Sequence, residues 1–105
     1  MSAVRDLKIK TGVVKRTHKE LLFYVKEAAY QQQRIDKIVA AGADEHDVRK
    51  QKEVLEETTT MMPDVKKRLA DAYKTLLECI QDPQFEGTQE LTDARAVLAE
   101  VEIED

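Results

Sequence analysis

Residues 3–41 contain no proline, and apolar residues recur through them at every seventh position: Leu7, Val14, Leu21, Ala28 and Ile35. A seven-residue repeat sustained this far commits a chain to a long helix packed on other helices. Two helical turns bring every seventh side chain back to nearly the same face. A second row lies three residues earlier, at Val4, Thr11, His18, Val25, Gln32 and Val39, and polar residues interrupt it. Gly12, the one internal glycine, costs roughly 1 kcal/mol relative to alanine, which a helix this long absorbs. Gly42 is placed to end the helix, because glycine accepts the left-handed conformation of a C-terminal stop. At about 1.5 Å per residue the predicted helix spans nearly 60 Å.

The repeat resumes over residues 45–81 with Val48, Leu55, Met62, Leu69 and Leu76, and a second row holds Gln51, Thr58, Val65, Ala72 and Cys79. Asp44 supplies an N-cap, and acidic residues follow it near the positive end of the helix. Pro63 falls inside this segment, where it removes a backbone N–H and clashes with the carbonyl of Thr59. Leu55, Met62 and Leu69 stay in phase across it, so the pattern predicts one helix kinked at Pro63. The hydroxyls of Thr58, Thr59 and Thr60 are expected to satisfy the freed carbonyls. Asp82-Pro83 ends the second helix. Gly87 and Thr88 open a third over about 88–101, with Leu91, Ala94, Leu98 and Val101 as its stripe.

Short links make neighbouring helices antiparallel. The expectation is an all-α chain: an elongated, left-handed, coiled-coil-like antiparallel three-helix bundle forming a single domain over 1–105. Its shorter third helix runs beside the N-terminal half of the first, leaving a two-helix hairpin at the far end, near residues 35–50.

The composition agrees with that architecture. Of 105 residues, 36% are charged and 42% hydrophobic, with three glycines, two prolines and five aromatics, too few turn residues for a sheet protein. No run is long and apolar enough to span a membrane. A single cysteine, Cys79, excludes an intrachain disulfide and suits a reducing compartment, the cytoplasm by default. The net charge of −4 conceals a gradient from a basic first helix to an acidic C-terminal segment.

No constellation carries chemistry. His18 on the seam and His46 in the turn are far apart, and neither has a second ligand at zinc spacing. Cys79 reads as a buried small apolar residue. No serine–histidine–acid set, P-loop or glycine-rich phosphate cradle occurs, so neither an enzyme nor a cofactor is expected. Nucleic acid is disfavoured, since the chain is acidic and no aromatics interleave with the lysines. What remains is protein binding. Lys8, Lys10, Lys15, Arg16 and Lys19 form a basic run, read either as a solvated face neutralised by the third helix or as a contact for an acidic partner. Leu22 and Tyr24 are expected to broaden the core stripe, whereas Phe23 and Tyr30 fall off the rows toward an exposed patch. Met62 is seam; Met61 is a candidate for an adaptable binding surface.

KIKTGVVKR at residues 8–16, MMPD at 61–64 followed by KKRL at 66–69, and DARAVLAEVE at 93–102 together resemble the tubulin-specific chaperone A (tubulin-folding cofactor A) family end to end. The chain departs from the family pattern where Met61 and Met62 abut Pro63, where Thr58, Thr59 and Thr60 precede them, and at Val65. The resemblance implies a small helical chaperone without cofactor or nucleotide hydrolysis. Such a protein captures and stabilises β-tubulin folding intermediates on the route to the αβ-tubulin heterodimer, in the cytoplasm and alongside other tubulin-folding cofactors, as a monomer or a homodimer. On that reading Lys10, Lys15, Arg16, Lys19, Phe23, Tyr30 and Met61 are candidate β-tubulin contacts. The rival reading is a generic coiled-coil adaptor or dimerisation module.

Overall fold

A computed structural model describes residues 2–101. They form α1 (Ala3–Ala40), α2 (Glu45–Cys79), a single 3-10 turn (Pro83–Phe85) and α3 (Gln89–Glu100). Among the described residues there is no strand, and the architecture is an all-α antiparallel three-helix bundle with a short third helix.

Each helix end has a local cause. Ser2 Oγ accepts the Arg5 N–H at 3.1 Å and opens α1. Gly42, at φ +78°, closes it: the Ala43 N–H reaches the Ile38 carbonyl at 2.9 Å and the Gly42 N–H reaches that of Val39 at 3.1 Å. These two bonds occupy carbonyls that the helix end would leave orphaned. Asp44 Oδ1 accepts the His46 N–H at 3.2 Å, and Glu45 and Asp47 stand in the first turn of α2. Thr88 caps α3 by accepting the Leu91 N–H at 3.2 Å.

α2 runs unbroken through Pro63. The threonines before it do not serve the carbonyl that the proline frees. Thr58 Oγ1 bonds the Val54 carbonyl, and Thr59 and Thr60 both bond that of Glu56, at 3.2, 3.0 and 2.7 Å. A helical threonine hydroxyl reaches back three or four residues toward the N-terminus, so the Thr59 carbonyl lies on the wrong side of all three.

The chain divides into two compact units. One takes residues 1–19 and 66–105; the other takes residues 20–65. In the first, three helices enclose Leu7, Val14, Leu69, Leu76, Leu91, Ala94 and Leu98, all buried. Burying each leucine stabilises by roughly 1.5–3 kcal/mol relative to leaving it in water. The 3-10 turn adds Phe85, only 3% exposed, from a linker whose residues show no periodicity. In the second unit, α1 and α2 pair as a hairpin around Ile35 and Val65, with Leu21, Tyr24, Ala28, Ile38, Leu55 and Met62 half-buried. The hairpin begins near residue 20 and is therefore longer than the sequence suggests.

Both rows of α2 face inward as the repeat requires. On α1 the first row holds, but the second holds only in the first unit. Val4 and His18 are half-buried there and Thr11 is buried, whereas Val25, Gln32 and Val39 are exposed, and Tyr24, Gln31 and Ile38 take the inward positions. In the first unit α1 has two neighbours and buries a wide stripe. In the second it has one, so only the α2 side of the row is covered. Cys79, read as buried, is half-buried near the end of α2.

Candidate interaction surface

In the first unit the basic run splits. Lys10 is half-buried, and its ammonium lies 2.6 Å from Asp6 Oδ2 one turn back along the same helix. That hydrogen bond holds the Lys10 pKa above the ordinary lysine value. Lys15, Arg16 and Lys19 stay exposed. Arg16 folds back along its own helix, and its guanidinium lies where a side chain at Gly12 would begin: a Cβ there would stand 3.1 Å from Nη1. It lines an open groove with Arg5, Lys8 and Ile9, opposite Gln89, Glu90 and Asp93 of α3. A basic wall thus faces one that carries two carboxylates.

In the second unit the exposed apolar side chains are large and numerous. Phe23 is 58% exposed, Tyr30 57% and Met61 49%. The Phe23 ring meets Tyr24 edge to face at 5.7 Å between centroids. Tyr24 and Met61 border one open groove, whose other walls are Glu53, Glu56, Glu57, Thr58 and Thr60 of α2. The structure therefore brings Phe23, Tyr24 and Met61 into one neighbourhood. Tyr30 stands apart, two turns on from Phe23, with the Lys26 ammonium 5.8 Å from its ring centroid. Leu22, expected in the core stripe, is 53% exposed, because it points to the side of α1 that no helix covers in this unit.

Among the described residues no group of histidine, cysteine and carboxylate side chains could hold a metal ion, and no helix is long and apolar enough to cross a membrane. Both grooves are open to solvent. Exposed aromatics, a methionine and an arginine are residue types enriched at protein interfaces.

The sequence comparisons place this chain in a known family. Residues 2–98 match the model of a family described as tubulin binding cofactor A. The chain belongs to the tubulin binding cofactor A family. It is 42% identical to the tubulin-specific chaperone A of Homo sapiens over 102 residues, which is 96% of this chain and 94% of that one. It is 40% identical to the tubulin-folding cofactor A of Arabidopsis thaliana over 97% of this chain and 93% of that one. Solved structures agree. The human tubulin chaperone cofactor A superposes with a TM-score of 0.83 at 40% identity, covering 94% of this chain and 97% of that one. The Arabidopsis tubulin folding cofactor A gives 0.87 at 34% identity, covering 93% and 94%.

Within this cofactor A chain, two features escaped the sequence. Gln31 is buried and its Nε2 donates to both the backbone carbonyl and Oε1 of Gln51, at 2.9 and 2.8 Å, crossing from α1 to α2. A polar residue one position off the expected row gives no periodic signal. The exposed row Leu22, Val25 and Val39 was equally hidden, since Val25 and Val39 share the heptad position of residues that are covered near the N-terminus.

Proposed function

We propose that this chain is a tubulin-folding chaperone that captures and stabilises β-tubulin folding intermediates on the route to the αβ-tubulin heterodimer. The observation that carries the proposal is the family match across residues 2–98, joined to relatives about 40% identical along nearly their whole length. The surface supports it physically. A holder of a non-native client needs exposed apolar contacts that can form and release, and Phe23, Tyr30 and Met61 supply them. Lys10, Lys15, Arg16 and Lys19 add a basic approach, which speeds encounter with an acidic client and weakens with salt. The chain acts by binding alone, in the cytoplasm, and hands its client to other folding cofactors.

Pull-down of the full chain from cytosol, followed by cross-link mapping, tests this reading. Stoichiometric β-tubulin is the expected result. Other coiled-coil proteins without tubulin would establish the adaptor reading instead. A Lys15→Glu/Arg16→Glu variant separates two roles for the basic run. Slower association with unchanged melting assigns it to client steering; lowered melting assigns it to bracing α3.

A further inference from the structure

Residues 53–65 of α2 carry four carboxylates, Glu53, Glu56, Glu57 and Asp64, and no lysine or arginine. Glu53, Glu56 and Glu57 line the groove that Tyr24 and Met61 border, and no cation lines it. All three are exposed, and among the described residues none of them is ion-paired. Glu53 and Glu57 stand one turn apart, a like-charge spacing that destabilises a helix. The bonds from Gln31 to Gln51 set the register of the hairpin, which lays residues 20–29 of α1 against 53–62 of α2. That stretch of α1 adds Glu20 and Glu27 and a single cation, Lys26, whose ammonium lies over the Tyr30 ring. On α2 the nearest cations, Arg49, Lys50 and Lys52 before the acidic stretch and Lys66 after it, do not line the groove. The apolar side chains of this face are Phe23, Val54 and Met61, all exposed, with Tyr24 half-buried; Val54 lies on the Met61 stripe, seven residues back.

We propose that this groove, apolar at Tyr24 and Met61 and acidic at Glu53, Glu56 and Glu57, docks a basic segment of the client that carries two or more lysine or arginine residues; the proposal rests on the β-tubulin reading above and names the chemistry of the element gripped. Lysine and arginine match both parts of the groove. Their aliphatic stems cover apolar surface while the charged head stays at a polar rim. A cation among the three carboxylates gains charge-assisted hydrogen bonds and offsets the repulsion along α2. The rings of Phe23 and Tyr24 offer a further contact, of the kind that Tyr30 already makes with Lys26 at 5.8 Å. An acidic occupant would set its own carboxylates against three more. A wholly apolar one would strip water from them and put nothing in its place. The sign is opposite to that of the basic run in the first unit, so the two units hold different parts of the client.

The test uses the full chain and purified β-tubulin. Glu53→Gln/Glu56→Gln/Glu57→Gln keeps size and helix propensity at three exposed positions, so circular dichroism should match the parent and melting should stay level or rise. Its affinity for β-tubulin should fall by about tenfold or more. Asp71→Asn/Glu78→Gln/Glu86→Gln makes the same change in net charge at exposed positions of the first unit and should bind as the parent does. An effect of net charge alone would move both variants together. A photo-cross-linker at position 60, which lines the groove, should capture tubulin peptides that contain lysine or arginine. Undiminished binding by the groove variant while the parent binds would overturn the proposal and leave the chaperone reading standing. So would equal changes in the two variants, or cross-links confined to acidic or uncharged segments. A groove variant that loses only self-association would assign the groove to the basic run of a second copy and sink the proposal. Failure of the parent itself to bind β-tubulin would remove the chaperone reading and this inference with it.

Discussion

Gln31 is the point where the hairpin is most sensitive to a single polar change. The residue is 9% exposed, and its amide nitrogen donates twice to Gln51, to the main-chain carbonyl and to the side-chain oxygen. Replacing it by alanine removes two hydrogen bonds, each worth about 1 kcal/mol net, and some buried stem, for an expected loss of roughly 2–3 kcal/mol. The Gln51 side chain is half-buried and can turn to water, so no full desolvation penalty is added. Gln31→Leu keeps the volume and should cost under about 1.5 kcal/mol, and Gln31→Leu/Gln51→Leu should be close to neutral, since removing both partners leaves nothing unsatisfied. Urea unfolding followed by circular dichroism measures all three, and a double-mutant cycle with Gln51→Ala isolates the side-chain bond. A loss below about 0.5 kcal/mol in Gln31→Ala, or a coupling near zero, would refute the reasoning.

Leu69→Ala, at a fully enclosed seam position, should cost on the order of 2–5 kcal/mol, and Phe23→Ala under about 1 kcal/mol; equal losses in denaturant midpoints would mean the faces are wrongly assigned. Pro63→Ala restores a backbone N–H toward the Thr59 carbonyl, so melting should stay level or rise and helix content should not fall. Hydrogen bonds from the Gln84 N–H and then the Gln84 side chain hold Asp82 below the ordinary carboxylate value. Its contribution to the 3-10 turn is therefore complete above that value and is lost as pH falls through the lowered pKa, which a carbon-detected NMR titration of the Asp82 carboxyl should show.

The heptad rows made the helices legible, and on α2 every residue they named is buried or half-buried, though Ala70 and Tyr73 join them from outside the rows. On α1 the second row failed beyond His18 for two reasons. An α-helix turns about 20° away from a seven-residue repeat with each heptad. The third helix that covers the row near the N-terminus also has no counterpart over residues 20–40. Sequence spacing records which residues share a face, not how many neighbours that face has. Phe23, Tyr30 and Met61 were readable as exposed because they sit off both rows. Leu22, Val25 and Val39 were not, because the pattern that hides them is the pattern of a core. Phe85 lacked any periodic companion, and its burial depends on a one-turn helix set by Asp82 and Pro83.

The two connections between helices carry unequal cargo. Residues 41–44 place no side chain inside: all four are exposed, and Gly42 needs only its left-handed φ. Residues 80–88 deliver Phe85 into the interior of the first unit and cap two successive helices. The first turn is therefore an insertion port, where a fluorophore, an epitope or a tether of several residues adds only a slowly growing loop-closure cost. The second is a fastener, where lengthening the linker would withdraw an aromatic ring. Length variation and engineered fusions in a chain built this way belong at the hairpin tip.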